Sequence, residues 1–347
     1  MSAAGEHTHH EILTQPEAWS ATLEVLRSQE GTVREVFDRG GYQAVVFTGC
    51  GSTYYLSLAA AAQWRELAGL PAWGVPASEI WLRPQGSLPT GQRTLLVAIS
   101  RSGATTETVR ACETFLKGAS PEDLITVTNY AGRPLANLGG TNLVLPAGQE
   151  QSVAQTRAFT TLYLATMFLA AVWSGSRSLL DQMGALPAAA RRLLSVHADH
   201  ARQLASDDSL DRFYFLGSGP CYGLACELSL KMKEMSLSHS EPFHFLEFRH
   251  GPQSMVTAGT LVVGLLSEGT RFHEEAVLGE MRARGARVLT MAEQEADVAF
   301  GSGVVESLQS ILHLPVGQLL GFERAMFRGL DPDRPLNLSA VVTLDPL

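Results

Sequence analysis

The sequence predicts an α/β protein of two tandem domains, each a parallel sheet flanked by helices in three layers. Three observations carry that prediction. The chain repeats itself: FTGCGSTYYLS at residues 47–57 matches FLGSGPCYGLA at 215–225, and TLLVAISRSG at 94–103 matches TLVVGLLSEG at 260–269, at nearly the same offset. Short apolar, β-branched runs alternate with helical periodicity, the pattern of βαβ units and a sheet covered on both faces. A length of 347 residues suits about two domains of roughly 100–200 residues each.

Along the chain, residues 1–10 are polar and contain HTHH, which reads as a frayed tail, with His7, His9 and His10 as weak metal ligands at most. Ile12, Trp19, Leu23, Leu26, Val33 and Val36 give residues 11–39 a helical period. Strands are predicted at 44–47, 95–99, 123–128 and 143–145, with helices at 54–67 and 105–116. An apolar run within 160–173 is too short for a membrane span, which needs about 20 residues, and is predicted as part of a buried helix over 155–175. A helical connection covers 185–205, with Pro187 near its first turn. The second half repeats the scheme, with strands at 213–216, 261–265 and 287–291 and helices at 221–236 and 273–284. Residues 337–347 read as an extended tail. The implied organisation is a helical segment at 1–34, a first domain at 35–178, a second at 195–335 and a tail at 336–347.

Net charge is −9, from 35 acids and 26 bases, which argues against nucleic acid as a partner. An anionic ligand must therefore be held by a local site. Cys50, Cys112, Cys221 and Cys226 form no CxxC pair and read as reduced thiols. No signal-peptide core is visible at the N-terminus, so the expected compartment is the cytoplasm, with no membrane partner.

Such a local site is visible in the first half. Ser100-Arg101-Ser102-Gly103 follows a buried strand, and Thr105 opens a helix. Ligands of parallel sheets sit at the carboxyl ends of strands, and a helix N-terminus offers N–H groups to phosphate. Ser100, Ser102 and Thr105 add hydroxyls, and Arg101 a cation. Taken alone, such residues also serve as helix caps. The second copy has Leu266, Ser267, Glu268 and Gly269 at the matching places, a loss that capping alone does not explain. Gly49-Cys50-Gly51-Ser52-Thr53 lacks the third glycine of a dinucleotide fingerprint and reads as a loop bordering the same ligand.

In the second half, Glu227, Lys231 and Glu234 share one helix face, where carboxylates and an ammonium tune one another. An ordinary solvated ion pair gives the same spacing. His250 precedes Gly251-Pro252 at a turn, where it serves either as an acid–base or as a loop residue. His239, His244 and His250 match no metal spacing, so no metal and no cofactor is expected.

Many of these motifs, in this order, resemble the sugar isomerase (SIS) domains: the isomerase half of glutamine–fructose-6-phosphate aminotransferase, the amino-sugar-phosphate deaminases and the fructosamine-phosphate deglycases. The resemblance runs through 50–53, 77–79, 100–105, 150–161, 231–234, 250–252 and 331–338. It implies that Thr53, Ser100, Arg101, Ser102 and Thr105 bind the substrate phosphate, with Arg101 where the aminotransferase usually has glutamine. It implies sugar contacts from Ser52, Glu150, Val153 and Gln155. It makes Glu234 the carboxylate that moves a proton between C1 and C2, Lys231 a lysine near the sugar hydroxyls, and His250 the ring-opening residue, donated by the neighbouring subunit of a homodimer. Two departures point to one branch. No glutaminase segment stands ahead of the first half, and Ala340 occupies the place of the aminotransferase's imine-forming lysine. The expected activity is therefore an isomerase-type deamination of glucosamine 6-phosphate to fructose 6-phosphate and ammonia, with a fructosamine-6-phosphate deglycase, a plain sugar-phosphate isomerase or a non-catalytic sugar-phosphate sensor as alternatives.

Overall fold

The computed structural model of the chain describes residues 3–341 and 344. It forms two compact units, each assembled from distant stretches of sequence. The first-sheet unit takes Glu17–Glu150, Arg157–Gly184 and Ser339–Leu347; the second-sheet unit takes Met1–Pro16, Gln151–Thr156 and Ala185–Leu338.

In chain order, α1 (Glu6–Leu13), α2 (Gln15–Ser28) and α3 (Glu30–Gly40) lead into β1 (Ala44–Gly49), α4 (Ser52–Ala68), β2 (Ala72–Pro76), α5 (Ala77–Leu82), α6 (Pro84–Ser87), β3 (Thr94–Ser100), α7 (Thr106–Phe115), β4 (Leu124–Thr128), β5 (Thr141–Val144), α8 (Arg157–Trp173) and α9 (Arg177–Gln182). Then follow α10 (Leu186–Ala205), β6 (Arg212–Gly217), α11 (Pro220–Ser236), β7 (His239–His244), β8 (Thr260–Leu265), α12 (Arg271–Ala283), β9 (Arg287–Ala292), β10 (Val298–Ala299), α13 (Glu306–Gln309) and α14 (His313–Phe327).

The two five-stranded sheets run in the orders β2-β1-β3-β4-β5 and β10-β9-β8-β6-β7, parallel throughout. Within each half the strand order is the same, second-first-third-fourth-fifth, so the sequence repeat is a topological repeat. Strand order reverses between β1 and β3, and again between β6 and β8. Such a switch point leaves a crevice at the carboxyl ends of the two strands. The loops after β1 and β3 are the two that carry the hydroxyl-rich motifs. The register sets these loops side by side, with Thr48 opposite Ala98, and Ser100 opposite Thr128.

β1, β3, β4 and β8 are buried along their whole length, as expected of strands covered on both faces. In the first-sheet unit, Phe37, Phe47, Trp64 and Trp173 pack edge-on or tilted at centroid distances of 5.0–5.9 Å, joining α3, β1, α4 and α8. Each such pair adds about 0.5–1.5 kcal/mol beyond its area burial. The apolar run is α8, buried from Ala158 to Val172. Among the described residues no helix is long and apolar enough to cross a membrane. In the second-sheet unit, α14 packs against α10 and α11. A side chain at Gly317 would stand 2.6 Å from Leu228, so glycine lets α14 close on α11.

The polar N-terminus departs from expectation. Residues 6–13 form α1 instead of a frayed tail, with Thr8 and Glu11 buried. Its caps come from far along the chain. Asp333 accepts hydrogen bonds from His7 N, Thr8 N and the Thr8 hydroxyl, and Asp331 accepts from Gly5 N. His9 stacks on Phe322 at 5.0 Å. Local sequence gave no sign of a cap supplied from more than 300 residues away. The tail expected at 337–347 falls partly on residues 342, 343 and 345–347, outside the described residues.

His313, at the start of α14, is buried edge-on to Phe300, with Nδ1 3.0 Å from the Ser310 carbonyl oxygen. Burial holds its pKa down at about 4. The unfolded chain therefore binds more protons than the native state between about pH 6.5 and 4, and stability is lost as pH falls through that window. His313→Gln should reduce the loss of stability between pH 7 and pH 5 by about 2 kcal/mol. Denaturant melts at the two pH values test this, and an unchanged difference would refute it.

Candidate functional site

In the first-sheet unit the loop after β3 folds around its own hydroxyls. Ser100 is buried, accepts from Gly103 N at 3.1 Å and lies 3.3 Å from the Thr105 hydroxyl. Ala104 N donates to Ser102 Oγ at 3.2 Å. Gly103 takes φ 64°, and a Cβ there would stand 2.8 Å from Arg133, so only glycine lets the loop close. Thr105 occupies the N-cap of α7, yet its side chain makes no capping hydrogen bond. A purely capping role therefore does not account for the threonine. The dipole and first-turn N–H groups of α7 give the loop the chemistry of an anion site.

The loop after β1 stands next to it. Cys50 Sγ lies 3.5 Å from Thr108 Oγ1, linking this loop to α7. Ser52 and Thr53 are buried at the start of α4. The Thr53 hydroxyl is engaged locally, donating to Cys50 O and accepting from Cys50 N. Burial pushes the Cys50 thiol up to about 11, so it stays protonated near neutral pH.

Arg101 is buried, and its guanidinium is turned to protein partners. Nη1 lies 3.4 Å from Glu150 Oε2, and Nη2 donates to Ala340 O at 2.8 Å. Glu150 is buried too and accepts from Ala158 N at 2.9 Å, at the start of α8. The first-sheet unit thus brings Ser52, Thr53, Ser100, Arg101, Ser102, Thr105 and Glu150 into neighbouring loops.

In the second-sheet unit, α11 carries the acid–base row. Glu227 and Lys231 are buried, unlike a solvated surface pair. Lys231 Nζ lies 3.3 Å from Glu227 Oε1 and donates to Glu234 Oε2. Burial alone would lower the ammonium pKa; the two carboxylates more than offset it and hold Lys231 above the ordinary lysine range. Glu234 keeps 20% of its side chain exposed and borders a cavity of about 230 Å³ that Leu330, Arg334 and Leu336 also line. Val153 N donates to Asp333 O, and Ala154 packs with Met235, so this loop lies against the end of α11. Gln155 Oε1 is buried without a hydrogen-bond partner among the described residues. His250 is exposed at the end of a short 3₁₀ turn, Glu247–Arg249.

Two acidic residues essential to this arrangement escaped the sequence reading. Glu11 is buried and accepts from Gln151 N and the Ser152 hydroxyl, fixing the loop that carries Val153 and Gln155. No local pattern marks it. Glu274 occupies the second copy of the anion loop. It projects from the first turn of α12 and accepts from Ser267 N and Thr270 Oγ1, each at 2.8 Å. Burial raises its pKa, while these hydrogen bonds and that of the Ser218 hydroxyl favour its charged form. The second loop is filled by a carboxylate of its own chain. A glutamate four residues after Thr270 was the signal available in the sequence. Among the described residues, no group of three metal-ligating side chains occurs.

Lys231→Met removes the ammonium that lies 3.3 Å from the buried Glu227 carboxylate. Lys231→Met should destabilise the fold by about 3–5 kcal/mol, the usual cost of breaking a buried pair. Adding Glu227→Gln to that variant should recover more than half of the loss. Equilibrium denaturation of both variants measures this; no recovery would show that the loss comes from packing.

Comparison with known proteins places these loops and helices in context. The SIS domain model matches residues 43–172 and 209–299. The chain is 30% identical to the glutamine–fructose-6-phosphate aminotransferase of Methanothermobacter thermautotrophicus over 99% of its own length, but spans 59% of that relative. It superposes on the glucosamine-6-phosphate deaminase of Thermotoga maritima with a TM-score of 0.76 and 28% identity, covering 93% of this chain and all of that one. The fold also matches the tagatose-6-phosphate ketose/aldose isomerase of Escherichia coli, with a TM-score of 0.85, 22% identity and coverage of 99% and 98%. Two matched segments, one on each repeated sheet, place this chain in the SIS domain family.

Proposed function

We propose that the chain converts glucosamine 6-phosphate to fructose 6-phosphate and ammonia. The observation that carries this reading is the row Glu227–Lys231–Glu234, in which a buried ammonium fixes a carboxylate that still meets a cavity. The likeness to a deaminase matched over its full length supports it. So does Ala340, which supplies no amine for an imine with the sugar.

In this mechanism Ser100, Ser102, Thr105 and the α7 N-terminus take the phosphate, bordered by Ser52 and Thr53. Arg101 serves the same loop, and Glu150, Val153 and Gln155 bound the sugar. His250 of a partner subunit opens the ring to the C1 aldehyde. Glu234 removes the proton from C2, giving an enolamine as the C1 oxygen is protonated, and returns it to C1. One carboxylate suffices because it keeps the proton between the two steps. The product is a C2 imine of fructose 6-phosphate. Water adds at C2, a proton passes from the added hydroxyl to the nitrogen, and the C–N bond breaks with its electron pair leaving on ammonia as the C2 ketone forms. Lys231 holds Glu234 toward the sugar. No cofactor enters any step.

Pure protein incubated with glucosamine 6-phosphate should release ammonia and fructose 6-phosphate in equal amounts. Glu234→Gln should lower kcat by about 10²–10⁴-fold, the usual contribution of a general base, while substrate affinity measured by calorimetry changes less than about threefold. Absence of turnover in the parent protein would reject the deaminase reading, and full activity of Glu234→Gln would reject the assigned base.

A further inference from the structure

We propose that Glu11 is a positioning residue for the substrate: from α1 it fixes the loop 151–156 so that Gln155 meets the sugar, without itself touching the ligand. The proposal rests on the sugar-phosphate reading above, in which Gln155 bounds the sugar. Glu11 is buried, and both of its carboxylate oxygens are engaged on that loop. Oε1 accepts from Gln151 N at 2.6 Å and from Ser152 N at 3.4 Å, and Oε2 accepts from the Ser152 hydroxyl. Two successive amides and a hydroxyl thus converge on one carboxylate, an acceptor-only group suited to three donors.

The next residues are held in turn. Thr8, one turn before Glu11 on the buried face of α1, donates to Asp333, and the Asp333 carbonyl oxygen accepts from Val153 N at 3.2 Å. Ala154 packs with Met235, Ala325 and Leu330. Gln318 Nε2 donates to Thr156 O at 3.1 Å. Residues 151–153 are therefore anchored through α1, directly or by way of Asp333. Gln155 differs from its neighbours. The residue stays partly open, yet its Oε1 is buried and has no hydrogen-bond partner among the described residues. A buried amide oxygen without a donor is costly to keep, and a hydroxyl or amino group of a sugar supplies the donor. A carboxylate that only stabilised the fold would leave ligand affinity alone; one that places Gln155 sets that affinity.

Glu11→Gln keeps the shape of the side chain and one acceptor oxygen. It should weaken the affinity for glucosamine 6-phosphate, measured by calorimetry, about fivefold, the difference between a charged and a neutral hydrogen-bond acceptor. Its kcat should change less than about twofold, the pattern of lost binding with intact chemistry. Gln155→Ala should weaken affinity about tenfold. In the double variant Glu11→Gln should add less than about twofold to that loss, because a residue acting through Gln155 then has nothing to place. Amide hydrogen exchange at Gln151 and Ser152 should quicken at least about threefold in Glu11→Gln and by more in Glu11→Ala. Ser152→Ala, which keeps Glu11, should quicken exchange at the same amides and tests the contact even where Glu11→Ala fails to fold. Affinity losses that multiply in the double variant would make the two residues independent and overturn the proposal. So would unchanged affinity or unchanged exchange in Glu11→Gln, or a loss confined to kcat. If the parent protein neither binds nor turns over glucosamine 6-phosphate, the function reading fails, while the exchange result still decides whether Glu11 holds the loop.

Discussion

The hydroxyl-rich loops of this protein owe their position to the point where a parallel sheet reverses its strand order. A strand buried on both faces leaves only its ends for chemistry, and the reversal parts two neighbouring loops at the carboxyl edge. In the first-sheet unit those loops carry Gly49–Thr53 and Ser100–Thr105. In the second-sheet unit the same reversal falls between β6 and β8, and the loops there carry Ser218 and Ser267. One topology thus presents two equivalent rims, and the side chains decide what each becomes. Hydroxyls and glycine make one receptive to an anion. On the other, Glu274 supplies the anion.

The buried lysine is the costliest element of the second unit and the most informative. An ammonium removed from water needs compensation, and α11 supplies it at positions four before and three after. The arrangement fixes two of the three groups and leaves Glu234 partly open. In the proposed mechanism, rigid support behind one exposed acid is what proton transfer between adjacent carbons requires, since the acid must meet both carbons without rotating away.

Much of this was legible in the sequence, for identifiable reasons. The central strands announced themselves because burial on two faces demands unbroken runs such as LLVAI and LVVGL. The edge strands β2 and β7 did not, since AWGVP and HSEPFH carry glycine, proline and polar groups that an edge tolerates and a centre does not. The anion loop was legible because its residues are contiguous. Glu227, Lys231 and Glu234 were legible as a helical row, although spacing could not tell a buried row from a solvated one. Pairings across hundreds of residues stayed hidden: Asp333 with Thr8, Glu11 with Ser152, and Arg101 with Ala340. Their energetic meaning exists only once the fold has brought them together, and no local period encodes it.

The carboxylate of Glu274 has a thermodynamic consequence. A rim that carries its own counter-ion gains no stability from an anion in solution. A rim that draws its counter-ion from solution has a stability that rises with the logarithm of metabolite concentration. Under the proposed function, the half with the hydroxyl-rich loop firms as sugar phosphate grows more abundant, while the half that holds Glu274 in its loop does not.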